Sequence, residues 1–381
     1  MTYLYRQENR FFAQTAPGLE QAAADELAAL GADPAEARFM GVSFGADKPV
    51  LYRANYECRL SSRILAPLIT FPYQSDNDLY QAARALQWTD FLNPRQTFAV
   101  YATRSKESRI RHTGYGALKI KDAVADYFQQ KMRCRPNVDK QAPDVWINVH
   151  IDREQATISI DTSGGSLHKR GYRQKTVDAP MQETVAAAIL HFSRWDGAAP
   201  FYDPMCGSGT LLTEALMRYA RIPAGFLRSR FGFENLPDFE PPLWRRLKTA
   251  TDRRIRALPP GLISGSDRLD TAVAAARANN RMLPFGNRIT LDTKRFQQIA
   301  GLPGHLVACN PPYGIRLENR KAAARLYGLF GDFLKQRCPG ATAYVYFGEP
   351  QMVKHLGLKP DWKKPIKNGG LDGRLVRYNV Y

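Results

Sequence analysis

Three short strings in the second half of the chain have residue types and spacing suited to chemistry. The first is Asp203-Pro204-Met205-Cys206-Gly207-Ser208-Gly209-Thr210, which follows an apolar stretch and opens a helical one. Gly207 and Gly209 permit a tight turn and a close approach of ligand to backbone, while a helix start offers N–H groups and a positive dipole end to an anionic group. A nucleotide phosphate is one candidate, but the lysine of a phosphate-binding loop is absent, since Thr210 is followed by Leu211 and Leu212. Leu212 also stands where a dinucleotide fingerprint has its third glycine. The second string ends in Asp267, where the next predicted strand closes. A carboxylate there can accept hydrogen bonds from ribose hydroxyls, or it can cap the helix predicted over 268–281. The third is Asn310-Pro311-Pro312-Tyr313, after the apolar run LVAC. Two prolines fix φ and remove two N–H donors, so a stiff loop presents the Asn310 amide oxygen and backbone carbonyls as acceptors. Such a loop suits an exocyclic amine that must be aimed at an electrophile, and Tyr313 offers a flat face for stacking a base. Taken alone, the same four residues are also an ordinary proline-rich turn at a strand end.

Other chemistry is poorly supported. The histidines His112, His150, His168, His191, His305 and His355 show no ligand spacing, and the five cysteines never fall as CxxC. Neither a structural zinc site nor a disulfide framework is expected, no metal is called for, and a reducing cytoplasm fits this cysteine usage. Cys206 and Cys309 read as small buried residues rather than nucleophiles.

The elements that must position these strings alternate from residue 182 onward. A helical run QETVAAAILHFSRW precedes the strand APFYD, the glycine turn and the helix TLLTEALMRYA. The strand LISGSD, the helix TAVAAARANNRM, the strands NRITLD and HLVACN, the helix KAAARLYGLFGDFLKQ and the strand ATAYVYFG follow. Strand–helix alternation over about 200 residues predicts a doubly wound α/β sheet. A proline-marked stretch, 225–261, interrupts it around WRRLKTATDRRIR and reads as an insertion. Upstream, residues 1–60 read as a small α+β unit with Leu19, Ala23, Leu27 and Leu30 on one helical face and a strand over 39–44. Residues 61–165 read as a second α+β unit. It has a strand at 97–103, a helix at 115–132 with Leu118, Val124 and Phe128 among its apolar positions, and a hairpin of VWINVHI and QATISID. Residues 166–181 contain SLHKRGYRQKT and read as a basic linker, leaving 182–381 as the α/β domain.

Composition narrows the partner. The chain has 381 residues and a formal charge of +18, divided as −2 over 1–60, +7 over 61–175 and +13 over 176–381. An excess of this size favours a polyanion, because each phosphate neutralised by Lys or Arg releases condensed counterions. The apolar content of 44% is too high for a disordered chain, and no apolar run spans a bilayer, so a membrane is not expected as partner. The N-terminal MTYLYRQENRFF shows no secretory pattern.

The strings DPMCGSGT and NPPYG together resemble the class I S-adenosylmethionine-dependent methyltransferases, in the branch that methylates exocyclic amines of bases. The segment KIKDAVADYFQQKMRCRPNVDKQAPDVWINVHI, followed by SLHKRGYR, resembles the THUMP region of bacterial 23S ribosomal RNA (guanine-N2) methyltransferases, a family formerly labelled as N6-adenine DNA methylases. The resemblance covers nearly the whole chain. It implies a ferredoxin-like piece and a THUMP RNA-binding domain before a Rossmann-like methyltransferase domain, with S-adenosylmethionine as cofactor. It implies that Asp203, Pro204, Cys206, Gly207, Ser208, Gly209 and Asp267 hold that cofactor. Near Arg295 the family carries an acidic residue that contacts the cofactor's adenine; Asp292 is the nearest carboxylate here. Asn310, Pro311, Pro312 and Tyr313 would form the catalytic loop. Arg104, Lys106, Arg109, Arg111, Lys119, Lys121, Lys169, Arg170 and Arg173 would contact RNA, and 23S rRNA or a ribosome assembly intermediate would be the partner. Adenine N6 of RNA or DNA is the alternative target, since the NPPY loop serves both amines; a non-catalytic RNA-binding module is the alternative of another class.

Overall fold

In the computed structural model the described residues are 2–105, 113–176, 181–312 and 317–381, with only the backbone considered at 113 and 317–319. The chain divides into two compact units. The first comprises Met1–Thr15, Ala23–Leu167 and Arg228–Thr249; the second comprises Ala16–Ala22, His168–Leu227 and Ala250–Tyr381.

The first unit is built on a seven-stranded sheet. Its strands are β1 (Arg10–Thr15), β2 (Ala35–Arg38), β3 (Gly41–Gly45), β4 (Ser61–Pro72), β5 (Phe98–Arg104), β6 (Val145–Asp152) and β7 (Gln155–Asp161), in the spatial order β2-β3-β1-β4-β7-β6-β5. Strand β4 is the seam between the two α+β halves read from the sequence. It pairs antiparallel with β1, Phe12 opposite Leu65, and antiparallel with β7, Leu65 opposite Asp161. Its register with β7 shifts between Pro67 and Ile69, where a residue lacking an N–H cannot serve the ladder. Helices α1 (Leu4–Glu8), α2 (Glu20–Ala29), α3 (Lys48–Glu57), α4 (Asp76–Ala85) and α5 (Thr113–Met132) complete this half of the chain. Helix α3 starts where the Asp47 carboxylate accepts from Val50 N at 3.0 Å, the N-cap geometry expected of that residue type. Helix α5 packs on α4 and β5, burying Ile120, Val124 and Phe128. Leu118, one of its predicted apolar positions, is 47% exposed, so the buried stripe runs beside it.

The second unit carries α6 (Glu183–Ser193), β8 (Phe201–Asp203), α7 (Thr210–Tyr219), α8 (Pro241–Asp252), β9 (Ile263–Asp267), α9 (Asp270–Asn280), β10 (Thr290–Thr293), β11 (Leu306–Cys309), α10 (Leu317–Arg337), β12 (Thr342–Phe347), β13 (Trp362–Asn368) and β14 (Leu371–Asn379); most of α8 groups with the first unit. Its sheet has the order β10-β9-β8-β11-β12-β14-β13. The first five strands are parallel, and β14 and β13 close the edge antiparallel. All four residues of β11 are buried, as befits a parallel strand covered on both faces. The terminal hairpin is an element the alternation did not predict, because Lys363, Lys364 and Lys367 break any apolar pattern in β13; lysines on an edge strand discourage pairing with another chain.

The stretch read as an insertion belongs largely to the first unit. Trp244 of α8 sits with ring centroids 5.2 Å from both Tyr56 and Phe233, and Tyr52 stacks on Phe233 at 4.6 Å. An aromatic cluster of this kind explains why 228–249 leaves the α/β alternation: its apolar residues are spent on the other sheet.

Candidate active site

The order of the second sheet reverses at β8, which has β9 on one side and β11 on the other. In open α/β sheets the crevice beyond the carboxyl ends of strands at such a point is where ligands bind. The string Pro204–Gly209 leaves the end of β8, and Asn310–Pro312 leaves the end of β11. These strands are direct parallel neighbours, with Phe201 opposite Leu306 and Tyr202 opposite Val307, so adjacent backbones stand about 4.8 Å apart. The glycine turn and the Asn310 loop therefore emerge side by side, as the chemistry read from their sequences requires.

The glycine turn is held by hydrogen bonds at nearly every step. Cys206 N donates to Ser266 O at 3.0 Å, and Gly207 N donates to Asp267 Oδ2 at 3.0 Å. Gly209 N donates to Cys206 O at 2.8 Å, and Thr213 N donates to Gly209 O at 2.8 Å, starting α7. Gly207 has φ +51° and Gly209 φ +83°. A Cβ on Gly209 would also lie 2.9 Å from the Cβ of Ala276 on α9, so both conformation and packing demand glycine there.

Two carboxyl groups flank the turn. Asp203 is 2% exposed and accepts from Met205 N at 3.1 Å. Burial, with the Asp267 charge adding to it, pushes the Asp203 carboxyl well above the usual range, against the pull of the Met205 bond. Asp267 accepts from Gly207 N with one oxygen and from Leu269 N, at 3.0 Å, with the other. The residue preceding α9 is Leu269, so Asp267 ties the strand end to the glycine turn instead of capping the helix directly. Each carboxylate oxygen keeps acceptor capacity beyond one bond. Burial, and secondarily the neighbouring carboxylates, push the thiols of Cys206 and Cys309 up, which keeps both protonated and unreactive.

Asp292 lies on β10 opposite Ser266 of β9, exposed, with its carboxylate 2.8 Å from Lys294 Nζ. Pro311 is buried and Pro312 exposed; Tyr313 lies outside the described residues, as do Lys106, Arg109 and Arg111. Arg104 is exposed at the end of β5. On α5, Lys119 Nζ lies 5.2 Å from the Tyr115 ring centre and Lys121 pairs with Asp122 at 2.7 Å. Lys169 is exposed.

Two of the predicted RNA contacts are corrected. Arg170 is 1% exposed, with its Nε 3.4 Å from Glu214 Oε1, and so is shut away from any phosphate. Arg173 donates to Glu183 Oε1, Ser208 Oγ, Thr210 Oγ1 and Met181 O at 2.9 to 3.1 Å, which commits its guanidinium to the protein. Sequence reasoning missed Asn279, which donates to Ser208 O in the turn, and Glu183, which holds Arg173 beside it; an Asn near a helix end and a Glu in a first helical turn carry no distinguishing local signal.

An S-adenosyl cofactor suits these groups. Its sulfonium is cationic, and the Asp267 carboxylate, whose described bonds both come from backbone N–H groups, lies beside the turn, while the buried Asp203 carboxyl, pushed towards its neutral form, offers hydrogen-bonding oxygens. Its amino-acid end needs close backbone approach, which the Gly207–Gly209 turn allows. Among the described residues no cluster of His, Cys, Asp or Glu is arranged to hold a metal, and no helix is long and apolar enough to cross a membrane.

Comparison with known proteins agrees in three segments. Residues 10–65 match the RlmL ferredoxin-like domain, 73–161 the THUMP domain and 170–377 the RMKL-like methyltransferase domain. A protein of Synechocystis sp. (strain ATCC 27184 / PCC 6803 / Kazusa), named as a candidate RNA methyltransferase, is 36% identical over 373 residues, 97% of each chain. Among solved structures, SMU.472, a candidate methyltransferase crystallised with SAH, superposes with TM-score 0.84 at 29% identity over 98% of each chain. A Listeria monocytogenes str. 4b F2365 protein, designated an N6-adenine-specific DNA methylase by prediction, superposes with TM-score 0.83 at 28% identity over 100% of this chain and 99% of that one. TrmN from Thermus thermophilus, at 17% identity and TM-score 0.68, shares the fold over 98% of this chain and 99% of its own.

Proposed function

This chain belongs to the THUMP-containing RMKL-like methyltransferase family, and from that membership we propose that it methylates the exocyclic N2 of a guanine in 23S ribosomal RNA, in the cytoplasm. It is an S-adenosylmethionine-dependent methyltransferase acting on nucleic acid. The observation that carries amine methylation on RNA is the emergence of Asn310 and the glycine turn from neighbouring parallel strands, in a chain that also holds a THUMP domain; the choice of guanine N2 in 23S rRNA follows the family resemblance. That domain favours RNA over DNA, and so weighs against the reading as a DNA adenine methylase.

The bound cofactor supplies a methyl group already activated by a positive sulfur. The protein's task is to position the amine and exclude water. A base amine is a weak nucleophile because its lone pair is delocalised into the ring. The Asn310 amide oxygen and the Pro311 carbonyl accept its two N–H bonds, which favours a pyramidal nitrogen. Pro311 and Pro312 stiffen the loop, so those acceptors need little reorganisation. Asp203, Gly207, Ser208, Gly209 and Asp267 hold the cofactor, with Pro204 and Cys206 shaping the turn between them. Asp292 is assigned to the adenine end. The base leaves its stack at a cost of a few kcal/mol, and stacking on Tyr313 offsets part of that. Arg104, Lys119, Lys121 and Lys169, with Lys106, Arg109 and Arg111, hold phosphates.

Asn310→Ala should lower kcat by about 100-fold or more, while the affinities for S-adenosylhomocysteine and for a 23S rRNA transcript stay near wild type. Near-normal turnover would refute the amine-orienting role. Mapping methylated nucleotides in rRNA from cells lacking the protein, against complemented cells, should reveal one missing N2-methylguanine; a missing N6-methyladenine would replace the target.

A further inference from the structure

We infer that Arg173 and Asn279 are positioning residues of the cofactor turn, so that the segment 170–175, basic in sequence, is a built part of the cofactor cradle and not an RNA-facing connector. The inference rests on the assignment of the glycine turn as the cofactor's seat.

Arg173 uses all three guanidinium nitrogens on this one neighbourhood. Nε donates to Glu183 Oε1 at 2.9 Å, Nη1 to Ser208 Oγ at 3.1 Å, and Nη2 to both Thr210 Oγ1 and Met181 O at 3.0 Å. The charge is met by a carboxylate whose side chain is only 6% exposed. A fork satisfied in this way has no unmet charge to offer a phosphate. Because the Ser208 and Thr210 oxygens both accept from Arg173, their own hydroxyl protons are turned away from it.

Asn279, fully buried on α9, fastens the next two residues to the same turn. Its Oδ1 accepts from Gln174 N at 2.8 Å and Lys175 N at 3.0 Å, and its Nδ2 donates to Lys175 O at 2.9 Å and Ser208 O at 3.0 Å. Four bonds exhaust both amide protons and two of its acceptor sites. Further back, Arg170 Nε approaches Glu214 Oε1 at 3.4 Å and Tyr172 Oη donates to the same oxygen at 3.2 Å. Glu214 lies four residues beyond Thr210 on α7, on the same helical face. The segment is thus fixed along α7 from its first turn to its second.

A physical reason connects these bonds to cofactor binding. Gly207 and Gly209 give the turn its positive φ angles, but glycine is also the residue that loses most freedom on being ordered. Neighbouring groups must remove that freedom beforehand, or ligand binding must do so at a cost in affinity. Ser208, between the two glycines, is the residue Arg173 holds by its hydroxyl and Asn279 by its carbonyl.

The test is Arg173→Lys, which keeps the charge beside Glu183 and loses the fork, together with Ser208→Ala, which removes one of the same contacts from the other side. Calorimetry with S-adenosylhomocysteine and steady-state kinetics with a 23S rRNA transcript are the measurements. Arg173→Lys should weaken S-adenosylhomocysteine binding and raise the KM for S-adenosylmethionine about tenfold, leaving the KM for RNA and the salt dependence of RNA binding unchanged. The double variant should lose less than the product of the single effects, because both act on one contact. Should Arg173→Lys fail to fold, Ser208→Ala is read alone, with about a threefold loss expected. Wild-type cofactor affinity in the variants, or a loss confined to RNA binding, overturns the inference. A wild-type protein that bound no S-adenosylhomocysteine would instead sink the cradle assignment and this inference with it.

Discussion

The glycine turn of the second unit and the basic side chains of the first make a contrast in how charge and geometry are used. Cys206 to Thr210 is braced by Ser266, Asp267, Arg173 and Asn279, all within the second unit. Arg104, by comparison, is exposed, and Lys119 is in range of one tyrosine ring. The difference follows from the tasks. Aiming a nitrogen at a methyl group fails with an error of about 1 Å. Neutralising a phosphate needs only a cation within a screened Coulomb field, and a flexible side chain serves. Rigidity is therefore concentrated where a bond is to be made.

The largest effect should come from breaking the braced side. Gly209→Val forces a β-branched residue into φ +83° with its Cβ 2.9 Å from Ala276, and should abolish measurable S-adenosylhomocysteine binding in calorimetry. A moderate effect is expected on the loose side. Replacing Arg104, Lys119 and Lys121 by Gln should weaken binding of the rRNA transcript several-fold and flatten its salt dependence by about 0.7 to 0.9 per lost phosphate contact. Lys121, already paired with Asp122, should contribute least, and cofactor affinity should not change. Equal losses at all three positions, or a shift in cofactor affinity, would erase the contrast.

The smallest effect sharpens the comparison, because the first unit has braced charges of its own, Asp161 with Arg63 and Asp144 with Arg230 among them. Asp144 accepts from Thr97 N at 2.8 Å and pairs with Arg230. Burial alone would push its carboxyl up, but the bonds from Thr97 N and Arg230 outweigh that and hold it below the usual carboxylate range. A depressed folded-state value adds stability that is present above the unfolded-state value, near pH 3.9, and is lost as pH falls through the folded-state value. Asp144→Asn should therefore melt a few degrees lower than wild type at pH 7, with the gap closing below about pH 3.9 in thermal scans. A gap that persisted in acid would show that packing, not the charge, is responsible.

Much of this was legible because it is local. Strand–helix alternation gave the second sheet through β12, strict alternation gave β6 and the turn after it β7, and the glycine turn announced itself by sitting between a strand and a helix. The terminal hairpin escaped because lysines on β13 answer to its place at the sheet edge and not to an apolar period. Residues 225–261 looked like an insertion because their prolines break the pattern, yet nothing in that string tells that Trp244 packs with Tyr52 and Tyr56, far earlier in the chain. The basic linker divides for the same reason: of its four cations, Arg170 and Arg173 turn out to have counter-charges, Glu214 and Glu183, beside them, while Lys169 stays exposed.

The sequence by itself determined which residues have the chemistry, namely a glycine-lined turn, a strand-end carboxylate and a proline-stiffened asparagine, since each is defined by neighbours a few positions away. Only the tertiary structure decided which charges are spent inside the protein and which remain for a ligand. Side-chain identity fixes what a group can bond to, but whether the bond is made inside or outside depends on partners brought in from distant parts of the chain, and folding alone sets those distances.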